Sequence, residues 1–137
     1  MISVFRFFAL FLILAASNIQ AQSGKPVATR TFTPIPGSDD YLVTIKITVE
    51  GIEGFAKEEE LIPDGAQVTD PNAGGGCTIL NNEGKLKYVW VSFPKCAEIA
   101  LTYRISFTRN LATPPNKKYP GSFRYVLDNK VAVVAVE

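Results

Sequence analysis

Apolar and polar residues alternate along most of this chain with a period of two. Val43, Ile45, Ile47 and Val49 are interleaved with Thr44, Lys46, Thr48 and Glu50. Successive side chains of an extended strand point to opposite faces, so this segment reads as a half-buried β-strand. Residues 97–109 repeat the pattern: Ile99, Leu101, Tyr103, Ile105 and Phe107 fall on one side, Thr102, Arg104, Ser106 and Thr108 on the other. Leu86 to Phe93 is apolar on both faces, which predicts a strand in mid-sheet. Phe123, Tyr125 and Leu127 mark another strand, and the valine-rich segment 131–136 a last one.

Turn-forming residues punctuate these runs. Pro34-Ile35-Pro36-Gly37, Pro63-Asp64-Gly65, Asp70-Pro71-Asn72, Gly74-Gly75-Gly76, Asn81-Asn82-Glu83-Gly84 and Pro114-Pro115-Asn116 all favour reversals or loops. Ala56-Lys57-Glu58-Glu59-Glu60-Leu61 is the best helix former, but it is short and runs into Pro63. It is read as a strand with a charged, exposed face. Seven or eight short strands at this spacing predict an all-β fold, a single antiparallel β-sandwich.

The N-terminus departs from this pattern. Arg6 is followed by ten apolar residues, Phe7 to Ala16, and then by Ser17-Asn18-Ile19-Gln20-Ala21. A positive flank, a short apolar helix and a small residue at the end of a polar stretch are what signal peptidase reads, and the run is short for a bilayer span. Residues 1–21 are therefore expected to be a signal peptide cut between Ala21 and Gln22, leaving residues 22–137 as one sandwich domain. Cleavage after Ala16 and an uncleaved anchor are the alternatives. No cysteine near the cut could carry a lipid. The expected location is the periplasm, the cell surface or the medium.

Removing residues 1–21 takes away Arg6 and leaves 13 basic against 13 acidic residues. A formally neutral chain with scattered basic residues has no net field to draw nucleic acid or an anionic membrane. Nucleic acid is excluded as a partner, and the membrane is met only through the transient signal peptide.

Export also bears on Cys77 and Cys96, the two cysteines. An oxidising compartment favours a disulfide between them, which closes a loop of about twenty residues and contributes about 3 kcal/mol by chain entropy. Two separate buried thiols are the alternative.

The order of motifs resembles a bacterial extracellular β-sandwich module. Arg30-Thr31-Phe32 and Pro34 precede the strand Val43–Val49; Gly54-Phe55-Ala56, Glu59-Glu60 and Pro63-Asp64-Gly65 follow. Gly74-Gly75-Gly76 then comes before Lys87-Tyr88-Val89-Trp90, and Leu101-Thr102-Tyr103-Arg104 leads to Gly121-Ser122-Phe123-Arg124-Tyr125. Cohesin-like and immunoglobulin-like repeats of bacterial surface proteins carry a similar order: R-x-[FL]-x-P, E-x-x-P-x-G, V-K-x-x-W, V-T-Y and G-x-[FY]. The resemblance implies a spacer or interaction role and brings no catalytic residues. The chain departs from the pattern at Ala66, where the family often has an aromatic.

Candidate chemistry is sparse. The chain has no histidine, which removes Ser-His-Asp and Cys-His nucleophiles and histidine-based zinc sites. Gly74-Gly75-Gly76 lacks the Lys-Ser/Thr of a phosphate loop. Glu58-Glu59-Glu60 is the one carboxylate cluster, and is read as a solvated face rather than a glycosidase pair, with Glu59 or Glu60 free to contact backbone amides of the Pro63–Gly65 turn. Asp39-Asp40 and Asp128-Asn129 offer oxygens to calcium, but read first as turn residues. No metal and no cofactor are expected. Tyr88 and Trp90, if they emerge on an open face, form a sugar-stacking platform; Tyr119, beside Lys117-Lys118, is a second exposed candidate. The expectation is a non-enzymatic envelope or extracellular module with a protein partner. A carbohydrate-binding sandwich is the alternative, and a carboxylate hydrolase ranks third.

Overall fold

The computed structural model describes residues 26–107 and 119–137. The expected signal peptide and its Ala21/Gln22 cut lie outside them, as do Pro114-Pro115-Asn116 and Lys117-Lys118. The described residues form nine strands and no helix: β1 (Val27–Pro34), β2 (Tyr41–Thr48), β3 (Ala56–Leu61), β4 (Ala66–Asn72), β5 (Thr78–Asn82), β6 (Lys85–Trp90), β7 (Glu98–Phe107), β8 (Gly121–Leu127) and β9 (Lys130–Ala135). They pair antiparallel in two sheets, β1-β2-β7-β4 and β5-β6-β3-β8-β9. The expected all-β sandwich is the fold.

Alternation decides which side chains enter the shared interior. Val43, Ile45 and Ile47 of β2 lie beside Tyr103, Leu101 and Ile99 of β7 in register, and all but the half-buried Ile99 are fully buried. The opposing sheet supplies Leu86, Tyr88, Trp90, Phe123 and Tyr125. The ring centroids of Trp90, Phe93 and Phe123 lie 5.1–6.4 Å apart, the spacing of favourable edge-to-face and tilted aromatic contacts. β6 is shorter than the apolar run suggests. It ends at Trp90, and Val91 is 84% exposed. It also has a solvent face, because Lys85 and Lys87 alternate with the buried Leu86, Tyr88 and Trp90.

Two tight hairpins sit where Gly, Asp and Asn accumulate. Glu83 and Gly84 (φ 52° and 74°) join β5 to β6, and Asp128 and Asn129 (φ 50° and 61°) join β8 to β9. Positive φ at both central residues gives the turn whose twist matches the flanking strands. Asp128-Asn129 is thus a turn. The three glycines 74–76, all at positive φ, lie between β4 of one sheet and β5 of the other.

Both open sides of the sandwich are stitched. On one side Val136 N–H donates to the Gly121 carbonyl at 2.9 Å, while Glu137 exchanges backbone bonds with Arg30 (2.6 Å) and Ala28 (3.0 Å) of β1. On the other the Asn81 amide of β5 donates to the Val68 carbonyl of β4 at 3.2 Å. β4 itself carries a bulge between Thr69 and Asn72, with Asp70 at φ 51°. Such breaks blunt an edge against strand addition.

Candidate functional site

The strand β3 holds the main surprise. Its charged residues do not all face water: Ala56, Glu58 and Glu60 point inward, and only Lys57 and Glu59 point out. Glu58 and Glu60 are both 0% exposed. The expectation of a solvated face at these two positions is corrected. Ala56-Lys57-Glu58-Glu59-Glu60-Leu61 offers no large apolar residue at the inward positions, and the register with β6 and β8 decides the matter instead. Glu58 lies between Tyr88 and Phe123, and Glu60 between Leu86 and Gly121.

Arg30 of β1 reaches across the interior to Glu60. Its Nε donates to Glu60 Oε1 at 3.1 Å, its Nη2 donates to Oε2, and its Nη1 donates to the Tyr119 carbonyl at 2.8 Å. The guanidinium also lies 4.1 Å from the centre of the Tyr119 ring. This bidentate ion pair with a cation–π face ties the two sheets together. Gly121 makes room for it, since a Cβ there would overlap both Glu60 Oε2 and Arg30 Nη2. The Tyr119 and Tyr103 hydroxyls pair with each other, and the Tyr88 hydroxyl donates to the Thr102 carbonyl at 2.8 Å, a further bond between sheets.

The charges in this cluster do not balance. Arg30 serves Glu60, while among the described residues neither oxygen of Glu58 meets a donor, and its neighbour is the Glu60 carboxyl. Burial, and then the neighbouring Glu60 charge, push the Glu58 carboxyl well above the usual carboxylate range. Burial raises Glu60 as well, against the opposing bond and charge of Arg30. Burial pulls Arg30 down, but Glu60 more than offsets this and keeps the guanidinium charged. Burial raises the phenols of Tyr88, Tyr103 and Tyr119, which stay neutral hydroxyls.

The other candidates fall as follows. Tyr88 is 0%, Trp90 1% and Tyr119 6% exposed, so these three rings are interior packing and form no platform for sugars. The lysines of β6 take its solvent face, and Tyr119 turns in under Arg30. Glu59 and Glu60 have other partners than the Pro63–Gly65 turn: Glu60 is bonded by Arg30. Glu59 lies 3.3 Å from Lys57 and 3.8 Å from Lys87, and the turn is closed by Ala66 N–H on the Pro63 carbonyl at 3.1 Å.

Cys77 and Cys96 are free thiols rather than a disulfide. Beyond β6 the chain is tied elsewhere, with Phe93 N–H on the Gly54 carbonyl at 2.7 Å and Val49 N–H on the Ala97 carbonyl at 3.0 Å. Burial raises the Cys77 thiol. Asp40 accepts from Arg104 Nε and from the Ser106 hydroxyl, both at 2.6 Å, and those two bonds hold its carboxyl below the usual range. Among the described residues no group of three or more acidic, thiol or imidazole side chains could hold a metal ion. A surface concavity of about 440 Å³ beside β5 and β6 is lined by Gly76, Cys77, Thr78, Val89, Val91 and Ser92, with no acid or base beside its thiol.

No protein-family model matches the chain, and no curated protein matches it. Solved structures do. BcpA, the major pilin subunit of Bacillus cereus, superposes with a TM-score of 0.64 at 9% identity, covering 82% of this chain and 39% of the pilin. The full-length major pilin SpaD of Corynebacterium diphtheriae gives 0.59 at 14% identity, covering 82% of this chain and 34% of that one. These likenesses show a shared β-sandwich. The chain spans well under half the length of either pilin. A chitin-binding domain of Thermococcus kodakarensis KOD1 is a looser match, with a TM-score of 0.47 at 9% identity over 76% of this chain and 90% of that domain. The cohesin or immunoglobulin type expected from the motifs is not singled out by these matches.

The sequence signal for the Arg30–Glu60 pair was present but unread. Arg30 keeps phase with Ala28 and Phe32, which both turn inward, whereas Val27, Thr29, Thr31 and Thr33 are exposed. A cation on the inward phase of a strand calls for a buried anion, and β3 supplies one at the inward position.

Proposed function

We propose that the protein is an exported, non-enzymatic structural or interaction module of the cell envelope or extracellular space. One observation carries this reading: the side chains best suited to chemistry are closed inside the sandwich, where they bond one sheet to the other. Among the described residues, Arg30, Glu60, Tyr88, Tyr103 and Tyr119 all do so, and each is spent on a contact within the interior. Stitched sides and a polar clamp suit a part that must keep its shape outside the cell. The sandwich shared with two major pilins supports a surface role, and the apolar segment before Ala21 supports export.

The test is made in the native organism with the untagged chain. Cell fractionation should place it in the periplasm, at the surface or in the medium, with Gln22 as the first residue by mass spectrometry. Cross-linking on intact cells should join it reproducibly to the same envelope protein. A cytosolic chain that keeps Met1 removes the export claim. Retention on an insoluble polysaccharide, with no protein cross-link, replaces the reading by glycan binding through side chains other than Tyr88, Trp90 and Tyr119.

A further inference from the structure

Among the described residues, the interior contains two carboxyl groups and one cation. Glu58 and Glu60 sit two residues apart on the same face of β3, both out of water. Arg30 spends its Nε and Nη2 on Glu60 and its Nη1 on the Tyr119 carbonyl. The other described groups facing Glu58 cannot take its charge. The Tyr88 hydroxyl of β6 is bonded to Thr102, and the Tyr103 hydroxyl of β7 to that of Tyr119. β8 presents Phe123 and Gly121. β2 and β4 present Val43, Ile45, Ile47 and Val68 to the core. Glu59, the remaining acid nearby, is on the outer face with Lys57 and Lys87.

An ionised Glu58 in this position is a buried anion with no donor among the described residues and a second carboxylate beside it. A group so placed takes up a proton instead. We propose that Glu58 and Glu60 form a buried binding site for a single proton, and that this proton is part of what holds the two sheets together. The proton resides mainly on Glu58, because Arg30 grips Glu60 through both oxygens. As two close acids, they titrate as a pair rather than singly. Losing the proton leaves a net negative charge between the sheets, where Arg30 joins β1 to β3.

The sign of the pH dependence follows. The site's affinity for a proton is higher in the folded protein than in the unfolded chain, where a glutamate titrates near pH 4.3. Below that pH both states carry the proton and the contribution is complete. Between it and the folded value only the native state holds the proton. There the unfolding equilibrium constant rises about tenfold per pH unit for this site, until the native dyad itself titrates.

Three measurements test this. Unfolding the wild-type chain with urea at pH 7 in weakly buffered solution should release close to one proton, read by pH-stat. The infrared spectrum of the native protein at pH 7 should contain a protonated-carboxyl C=O band that is absent from Glu58→Gln. Glu58→Gln replaces a neutral acid by a neutral amide of the same shape. It should fold, and its unfolding constant should lack the tenfold-per-unit rise between pH 5 and pH 7. A wild-type chain that releases no proton on unfolding, or has no protonated-carboxyl band at pH 7, overturns the proposal. So does a Glu58→Gln chain with the wild-type pH slope. Should Glu58→Gln fail to fold, proton release and the band in the wild type decide the question by themselves.

Discussion

Replacing Arg30 by methionine tests whether the interior clamp is a working ion pair. The side chains of Arg30 and Glu60 are 4% and 0% exposed, so removing the cation leaves Glu60 charged in the core beside Glu58. Breaking a buried pair from one side costs about 3–5 kcal/mol. The Tyr119 carbonyl also loses its donor at 2.8 Å, and the Tyr119 ring loses a cation at 4.1 Å. Against a total stability of about 5–15 kcal/mol for a domain this size, the loss is large. In urea, with a slope of about 1.5 kcal/mol per molar, the midpoint should fall by about 2 M or more. Arg30→Met/Glu60→Met removes both charges and fills the same space, so it should recover most of the loss, because a buried pair replaced by packed apolar side chains is often neutral. The loss in Arg30→Met should also shrink as the pH falls through the unfolded glutamate value of about 4.3, below which Glu60 is protonated in the unfolded chain as well. A drop under about 1 kcal/mol in the single variant, or a double variant no better than the single, refutes the argument.

Three further outcomes follow from the same geometry. Gly121→Ala places a methyl against Glu60 Oε2 and Arg30 Nη2, two groups fixed by each other, and should cost about 1–3 kcal/mol in urea unfolding, as overpacking does. Asp40 has its carboxyl held low by Ser106 and then Arg104. That stabilisation is present above the unfolded aspartate value and lost as pH falls through the folded one, so Asp40→Asn should flatten the fall in urea midpoint between pH 5 and pH 2. Finally, thiol titration of the purified protein without reductant should find two free thiols per chain, the exposed Cys96 reacting faster than the half-buried Cys77.

Sequence pattern reaches some elements of this molecule and not others, for physical reasons. Val43–Val49 and Ile99–Phe107 were legible because one face of each is apolar and the other polar, so burial leaves only one orientation. The hairpins at Glu83-Gly84 and Asp128-Asn129 were legible because few residues accept positive φ at consecutive positions. Tyr88 and Trp90 were ambiguous only while β6 was taken as apolar on both faces. Lys85 and Lys87 share the opposite phase, and a lysine does not enter a core without a partner. β3 was out of reach of this logic. Lys57, Glu58, Glu59 and Glu60 charge both of its faces, and the choice between them depends on Arg30, thirty residues away in sequence.

That dependence gives the polar cluster a role that apolar packing alone cannot fill. Shift β3 by one residue against β6 and β8, and Glu58 and Glu60 turn to water while Lys57 and Glu59 turn inward. Arg30 then stays on the inward phase of β1 without Glu60, and Lys57 adds a second cation to the core. In a strand whose inward residues are alanine and two glutamates, hydrophobic burial does not favour the observed register, since the slip would turn Leu61 inward. The ion pair distinguishes them strongly, because the slipped register leaves two buried cations competing for Glu59. Gly121 sharpens the choice further: it faces Glu60 in the observed register and leaves room for the guanidinium only there. Arg30, Glu60 and Gly121 therefore set which face of β3 meets the opposite sheet, and Glu58 is carried into the interior by that choice and held there by a proton.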